Sequence, residues 1–190
     1  LRPNIRRTLS YFYKQDVDVK IISGDDPRTV AAIAAKAGVR GKAVDMTTVK
    51  DIDQAVQNYS IFGRVTPEQK KQMVLALKDQ GHTVAMTGDG VNDVMALKEA
   101  DCSIAMGSGS EATKSVASLV LLKDQFKAMP AILREGRIAI NNIQRSASLF
   151  LVKTMFSFGL ALFSIFWLSG YPFKPIQLSM VSLLGTGLPG

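Results

Sequence analysis

The chain has 190 residues, 47% of them hydrophobic, and a formal net charge of +7. That balance stands between an ordinary soluble domain and an integral membrane protein, and since no basic stripe interleaved with aromatics accompanies the charge, nucleic acid is not an expected partner. The one cysteine, Cys102, excludes an intrachain disulfide and a cysteine-built metal cluster.

In chain order, Val17 to Val39 (VDVKIISGDDPRTVAAIAAKAGV) predicts a strand, a turn at Ser23, Gly24 and Asp25, then a helix opened by Pro27 and closed by Gly38. A hydroxyl and free backbone N–H groups at such a turn can hold phosphate oxygens, although for this segment alone a plain turn and cap is the favoured reading. Gly63 to Gly81 (GRVTPEQKKQMVLALKDQG) predicts a second helix, with Thr66 as N-cap, Pro67 opening it and Gln69 completing a capping box. Lys70 then stands in the first turns, where a cation opposes the helix dipole, so helix stability does not explain it. Neutralising a transferring phosphoryl group would. Lys71 and Lys78 are expected to face solvent.

His82 to Thr87 reads as a short buried strand and Val91 to about Ala100 as a helix, with TGDGVND forming the turn between them. Asp89, Asn92 and Asp93 therefore stand at the carboxyl end of a strand, where open α/β sheets place ligands. Magnesium takes hard oxygen ligands and keeps some of its water, so one or two carboxylates and a phosphate oxygen suffice. An Asx-rich turn that only caps a helix is the competing reading. Ala100 to Leu122 alternates short strands with a helix near Glu111 to Ala117. Its Gly107 to Ser110 turn is either a linker or an approach to another domain. His82 and Cys102 read as structural residues.

From Leu149 to Leu168 the chain is apolar apart from Lys153 and a few hydroxyl residues, long enough to cross a hydrocarbon core of about 30 Å as a helix. Arg134, Arg137 and Arg145 precede it and only Lys174 follows, which puts the amino-terminal portion on the cytoplasmic side. The preceding segment has helical apolar spacing through Ile132, Leu133, Ile138, Ile140 and Ile143. Tyr171 to Pro175 breaks the helix, and a second crossing starts afterwards.

SGDDPRT, RVTPEQK and TGDGVNDVMALKEAD, in this order, resemble the phosphorylation domain of P-type ATPases, which are themselves haloacid dehalogenase-like phosphotransferases. The resemblance covers essentially the whole chain. It implies an α/β fold, a haloacid dehalogenase-like parallel sheet with flanking helices, followed by a helical stalk and a transmembrane hairpin. The implied divisions are a partial phosphorylation domain over residues 1–125, a stalk over 126–147, a transmembrane helix over 148–169, an external turn over 170–175 and the start of a second crossing over 176–190. By the same resemblance Asp89 is the magnesium ligand with Asp93 beside it at the metal, and Asn92 supports metal and phosphate. Lys70 meets the phosphorylated centre and Ser23 and Gly24 hold phosphate oxygens. Asp25 lines the same site and helps to receive the nucleotide-bearing domain.

That family phosphorylates the first Asp of a D-K-T-G-T motif, which does not occur between Leu1 and Gly190. The chain is expected to begin after that motif and the nucleotide-binding insertion, and not to turn over ATP unaided. The implied activity is ATP-driven cation transport with Mg2+ as cofactor, calcium being the leading cargo. The implied partners are ATP, a transported cation, the lipid bilayer and the remaining domains of the same polypeptide, in a multi-pass cell-membrane protein whose residues 1–147 are cytoplasmic. Matched to the ion-binding helices of calcium and sodium/potassium pumps, Ser157 stands at the acidic position, Thr154 at the amide, and Ser182 and Thr186 at the sixth-helix pair. These two helices therefore lack the usual carboxylate site. Lys153 either snorkels to the boundary or pairs with a carboxylate elsewhere. A membrane-anchored phosphatase of the same fold, and pumps for lipids or polyamines, are the alternatives.

Overall fold

The computed structural model describes residues 5–122, 126–167 and 177, which divide into two compact units at Pro130 and Ala131. In the first, α1 (Ile5–Tyr13), β1 (Ile21–Ile22), α2 (Pro27–Ala37), β2 (Ala43–Asp45), α3 (Ile52–Asn58) and β3 (Ile61–Gly63) are followed by α4 (Pro67–Asp79) and β4 (Ala85–Gly88). A short 3-10 turn at Val91–Asp93 then leads to α5 (Val94–Glu99), β5 (Cys102–Met106), α6 (Glu111–Val116) and β6 (Leu119–Leu121). A helix intervenes between each strand and the next, the connection that parallel pairing requires.

Where one sheet was expected, the described strands form two parallel three-stranded sheets, in the orders β1-β3-β2 and β4-β5-β6. Their registers set Ile22 beside Phe62 and Gly88 beside Ala105. The two turns with chemical potential follow β1 and β4, each an edge strand of its sheet.

Helix α4 contributes to both cores. Met73 and Ala76 pack with Met46, Val56, Phe62 and Val65, while Val74 packs with Met86, Ala96 and Leu97. Burying side chains of this size contributes about 1.5–3 kcal/mol each, so α4 is fixed in orientation as well as position. The expected helix ends are present, and Asp26 adds an N-cap that the sequence reading did not name. Asp26 accepts from the Arg28 N–H ahead of Pro27, and Gly38 closes α2 at φ 88. Thr66 and Gln69 form a reciprocal capping box on α4.

Several expected boundaries move. Strand β4 begins at Ala85, so His82 lies in the preceding turn, its N–H donated to the Leu77 carbonyl. The predicted helix from Val91 starts with a 3-10 turn, because Asp93 folds back toward the preceding loop and regular α geometry resumes only at Val94. The Cys102 thiol is half-buried.

The second unit is dominated by α7 (Met129–Trp167), a single helix of 39 residues. At 1.5 Å per residue it is about 58 Å long, so the segments expected as stalk and span are continuous. It is long and apolar enough to cross a membrane, and Phe150, Leu151, Val152, Met155, Phe156 and Ile165 are exposed along it. Three of its hydroxyls bond within the helix: Ser148 donates to Gln144 O, Thr154 to Phe150 O and Ser164 to Leu160 O, the arrangement that an apolar surrounding favours. Thr154, matched to an ion-binding amide, thus spends its proton on its own helix. Lys153 is half-buried on the same helix. The external turn and second crossing, with Lys174, Ser182 and Thr186, lie outside the described residues, apart from Gln177.

Candidate phosphate and metal site

The turn after β4 is organised around Asp93, only 8% exposed. Its Oδ2 accepts from the backbone N–H groups of Asp89 and Gly90, each at 3.3 Å. Its Oδ1 receives the Lys70 ammonium at 2.7 Å, with both side chains almost covered. The carboxylate enters this cradle because Gly88 has no side chain. A Cβ there would stand 2.6 Å from Asp93 Cβ and 2.9 Å from its Oδ2, far inside contact distance. Gly88 is therefore a site residue through the space it leaves.

Lys70 reaches Asp93 because the capping box fixes the first turn of α4, and α4 in turn is held by both cores. The structure therefore brings together Lys70, Asp93 and the Asp89 and Gly90 backbone. Asp89 and Asn92 are exposed. Both oxygens of Asp93 are engaged, which leaves Asp89 as the open carboxylate of the turn.

Among the described residues no cluster of three or more His, Cys, Asp or Glu stands ready for a metal. Such a donor set fits magnesium, which keeps several waters and is bound by one or two carboxylates together with substrate phosphate oxygens. It does not fit a structural zinc centre, which needs four protein ligands.

The second turn, after β1, is closed by Ser23, whose Oγ accepts from the Asp25 N–H and donates to Asp25 Oδ2, both at 3.2 Å. It is pinned to the segment leading into α4 by Arg64 N–H to Asp25 O at 2.8 Å and Val65 N–H to Ser23 O at 3.0 Å. Arg64 holds a left-handed backbone, φ 52, a conformation costing about 1–3 kcal/mol in a residue with a side chain. Its guanidinium spans Asp26 at 2.7 Å and Asp45 at 2.8 Å, joining the start of α2 to the end of β2. Nothing in the sequence singled out Arg64. Gly63 before it has no space for a Cβ, which would stand 2.5 Å from Pro27 Cα. Ser23 and Asp25 make no hydrogen bond to Lys70 or Asp93 among the described residues, although only three residues of α4's entry separate Thr66, next to Val65, from Lys70.

Lys78, expected to face solvent, instead donates to Glu99 O at 2.8 Å and pairs with Asp101 at 3.1 Å, tying α4 to the approach to β5. Lys71 stands 3.7 Å from Glu99. Asp101 also accepts from Val84 N–H at 2.8 Å. That backbone bond first, then Lys78, holds the Asp101 carboxyl below its ordinary value of 3.8. Thr47, through its hydroxyl and its N–H, and then Arg64, do the same for Asp45. A carboxylate lowered in the folded state stabilises fully above its unfolded pKa, and this contribution is lost as pH falls through the folded value. We therefore expect Asp45→Asn and Asp101→Asn each to melt below the parent chain at pH 6 in detergent, with the gap closing as pH falls below the ordinary carboxyl value of 3.8. A gap that persisted or widened in acid would contradict these two anchors.

A family description, the haloacid dehalogenase-like hydrolases, matches residues 1–101, just over half of the chain. The chain is 45% identical over 203 aligned residues to calcium-transporting ATPase CtpE of Mycobacterium bovis, covering 100% of this chain and 26% of that protein. It is 46% identical to a probable cation-transporting ATPase, exp7, of Streptococcus pneumoniae, with the same coverage. With human calcium-transporting ATPase type 2C member 1 it shares 31% identity over 99% of its length and 21% of the relative's. The chain thus spans about a quarter of the curated relatives it matches. Among solved structures, a zinc-transporting PIB-type ATPase in its E2.Pi state superposes with TM-score 0.74 at 24% identity, over 98% of this chain and 27% of the other, a likeness of fold. Parallel strands, a lysine-paired buried aspartate beside an open one, and matches that run from the first sheet through the apolar helix lead to one assignment: the chain belongs to the haloacid dehalogenase-like hydrolase family and is homologous to the P-type ATPases.

Proposed function

We propose that this chain supplies the magnesium and phosphate machinery, the stalk and a membrane helix of an ATP-driven cation pump, with calcium as cargo. The observation that carries the reading is the Lys70–Asp93 pair at 2.7 Å beside the open carboxylate of Asp89, on a chain 45% identical throughout to a protein named as a calcium-transporting ATPase. In this reading the terminal phosphoryl of ATP passes to an aspartate elsewhere in the polypeptide. The bond to ADP breaks as the acyl phosphate forms, and water then attacks phosphorus to release inorganic phosphate and restore the carboxylate.

Asp89 would hold Mg2+, which when bound would neutralise charge on the phosphoryl oxygens. Asp93 orients the Asp89 turn through its two N–H bonds and keeps the Lys70 ammonium at the edge of the site, where it can meet a phosphoryl oxygen without reorganisation. Asn92 is free to reach the same oxygens. Ser23, Gly24 and Asp25 form the second wall, their turn fixed by Arg64 and Val65. Residues 1–147 would lie on the cytoplasmic side, and α7 would carry movement of the site into the bilayer.

The test is uptake into sealed vesicles by the full-length polypeptide with ATP and Mg2+, comparing calcium with potassium and manganese, and Asp89→Asn as the inactive control. Calcium accumulation that the variant loses supports the reading. ATP hydrolysis without uptake or stimulation by any of these ions would sink it in favour of a lipid or polyamine pump, while phosphatase activity without ATP hydrolysis would favour the membrane-anchored phosphatase.

A further inference from the structure

We infer that Gly109 and the backbone N–H of Ser110 are positioning elements for Asp89, so that the β5–α6 turn sets where the proposed metal carboxylate stands. The inference deepens the proposed function and rests on it only for the identity of the metal.

The turn lies against the Asp89 loop. Ser110 N–H donates to the Asp89 carbonyl at 2.9 Å, and Gly109 N–H donates to Met106 O at 2.9 Å. A Cβ on Gly109 would stand 2.9 Å from Asp89 O, 2.9 Å from Met106 O and 3.1 Å from Asp89 Cα. All three are backbone atoms and none can swing aside. Gly109 is not among the glycines with positive φ, so its requirement is room, not a left-handed backbone. The donor side is equally fixed. Ser110 is the N-cap of α6: its Oγ accepts from Thr113 N–H at 3.2 Å and its carbonyl takes the Thr113 hydroxyl at 2.6 Å, with Thr113 wholly buried. Asp89 is thus held from two sides: its N–H by Asp93, its carbonyl by Ser110. Its exposed carboxylate has no other restraint, and a displacement near 1 Å at a reacting site can cost about 100-fold in rate.

Gly107, two residues earlier, provides the control. It is just as crowded, with a Cβ at 2.5 Å from Leu122 O and 2.8 Å from Leu121 O, but it faces β6 and not Asp89. The experiment compares Gly109→Ala with Gly107→Ala in the full-length polypeptide by two readouts: amide hydrogen exchange over residues 88–93 without metal, and Mn2+ binding by electron paramagnetic resonance with Mg2+ as competitor. Gly109→Ala should speed exchange in that segment and weaken Mn2+ binding by about tenfold or more. Gly107→Ala should lower the melting temperature and change neither. Equal behaviour of the two variants overturns the inference.

Should Gly109→Ala fail to fold, Ser110→Pro and Ser110→Ala ask the same question. Both lose the capping hydroxyl, but only proline removes the N–H, and the φ of −65° at Ser110 suits it. Weaker Mn2+ binding in Ser110→Pro than in Ser110→Ala supports the inference and equal binding overturns it. If the parent polypeptide binds no Mn2+, or Asp89→Asn binds it unchanged, the metal reading falls, while hydrogen exchange still decides whether the turn positions Asp89.

Discussion

Asp89→Asn is expected to lower Mg2+-dependent ATP hydrolysis by the full-length polypeptide about 100- to 1,000-fold, since metal stabilisation of phosphoryl charge is worth several kcal/mol and each 1.4 kcal/mol is tenfold in rate. Folding should be nearly untouched. The Asp89 side chain is exposed, and the backbone bonds that fix its loop, from its N–H to Asp93 and from Ser110 to its carbonyl, survive the change. Exposed substitutions of this kind stay within about 0.5 kcal/mol, so the melting temperature should match the parent's. The asparagine keeps shape and loses charge. A variant hydrolysing ATP within a few-fold of the parent would show that Asp89 holds no essential metal, and attention would pass to Asp93.

Lys70→Met is expected to damage both stability and activity. Methionine keeps the apolar stem but removes the ammonium from a pair with both side chains almost covered. Asp93 would remain buried with only its two backbone donors. Removing one partner of a buried pair costs about 3–5 kcal/mol when nothing else compensates. Because the N–H bonds persist, we expect about 2–3 kcal/mol, at or below the bottom of that range. For the first unit this corresponds to a fall of about 5–10 °C in melting temperature. The double variant Lys70→Met with Asp93→Asn should recover part of that loss, because the uncompensated charge is gone, yet remain as inactive as either single change. Should Lys70→Met melt like the parent, the 2.7 Å contact carries no weight in the fold. Should the double variant regain hydrolysis, Lys70 acts on Asp93 alone and not on phosphate.

These two cases differ in how far they were readable beforehand. The carboxylate turn was legible because Asp89, Asn92 and Asp93 fall within five consecutive positions after an apolar run, and their local spacing restricts what the loop can do. The partners that hold Asp93 were not legible. Asp93 was expected beside the metal, and in the folded chain its two oxygens also hold Lys70 and two backbone N–H groups. Spacing cannot report that, because Lys70 is 23 residues away and reaches Asp93 only through the way α4 packs. The same holds for Lys78, expected in solvent and found bridging Glu99 and Asp101, and for Arg64, whose two carboxylate partners lie 38 and 19 residues upstream.

The local chemistry of the sequence was sufficient for the helix punctuation and the apolar span. Pro27, Gly38 and the Thr66–Gln69 box each act on neighbours within a turn, so their geometry follows from residue type alone, and a long apolar run is a property of composition. Only the tertiary structure decided the division into two parallel sheets, the placing of α4 against both cores and the closeness of Gly109 to Asp89. Each of these depends on which surfaces meet once crossovers close, and the energy that selects them is shared among residues far apart in the chain.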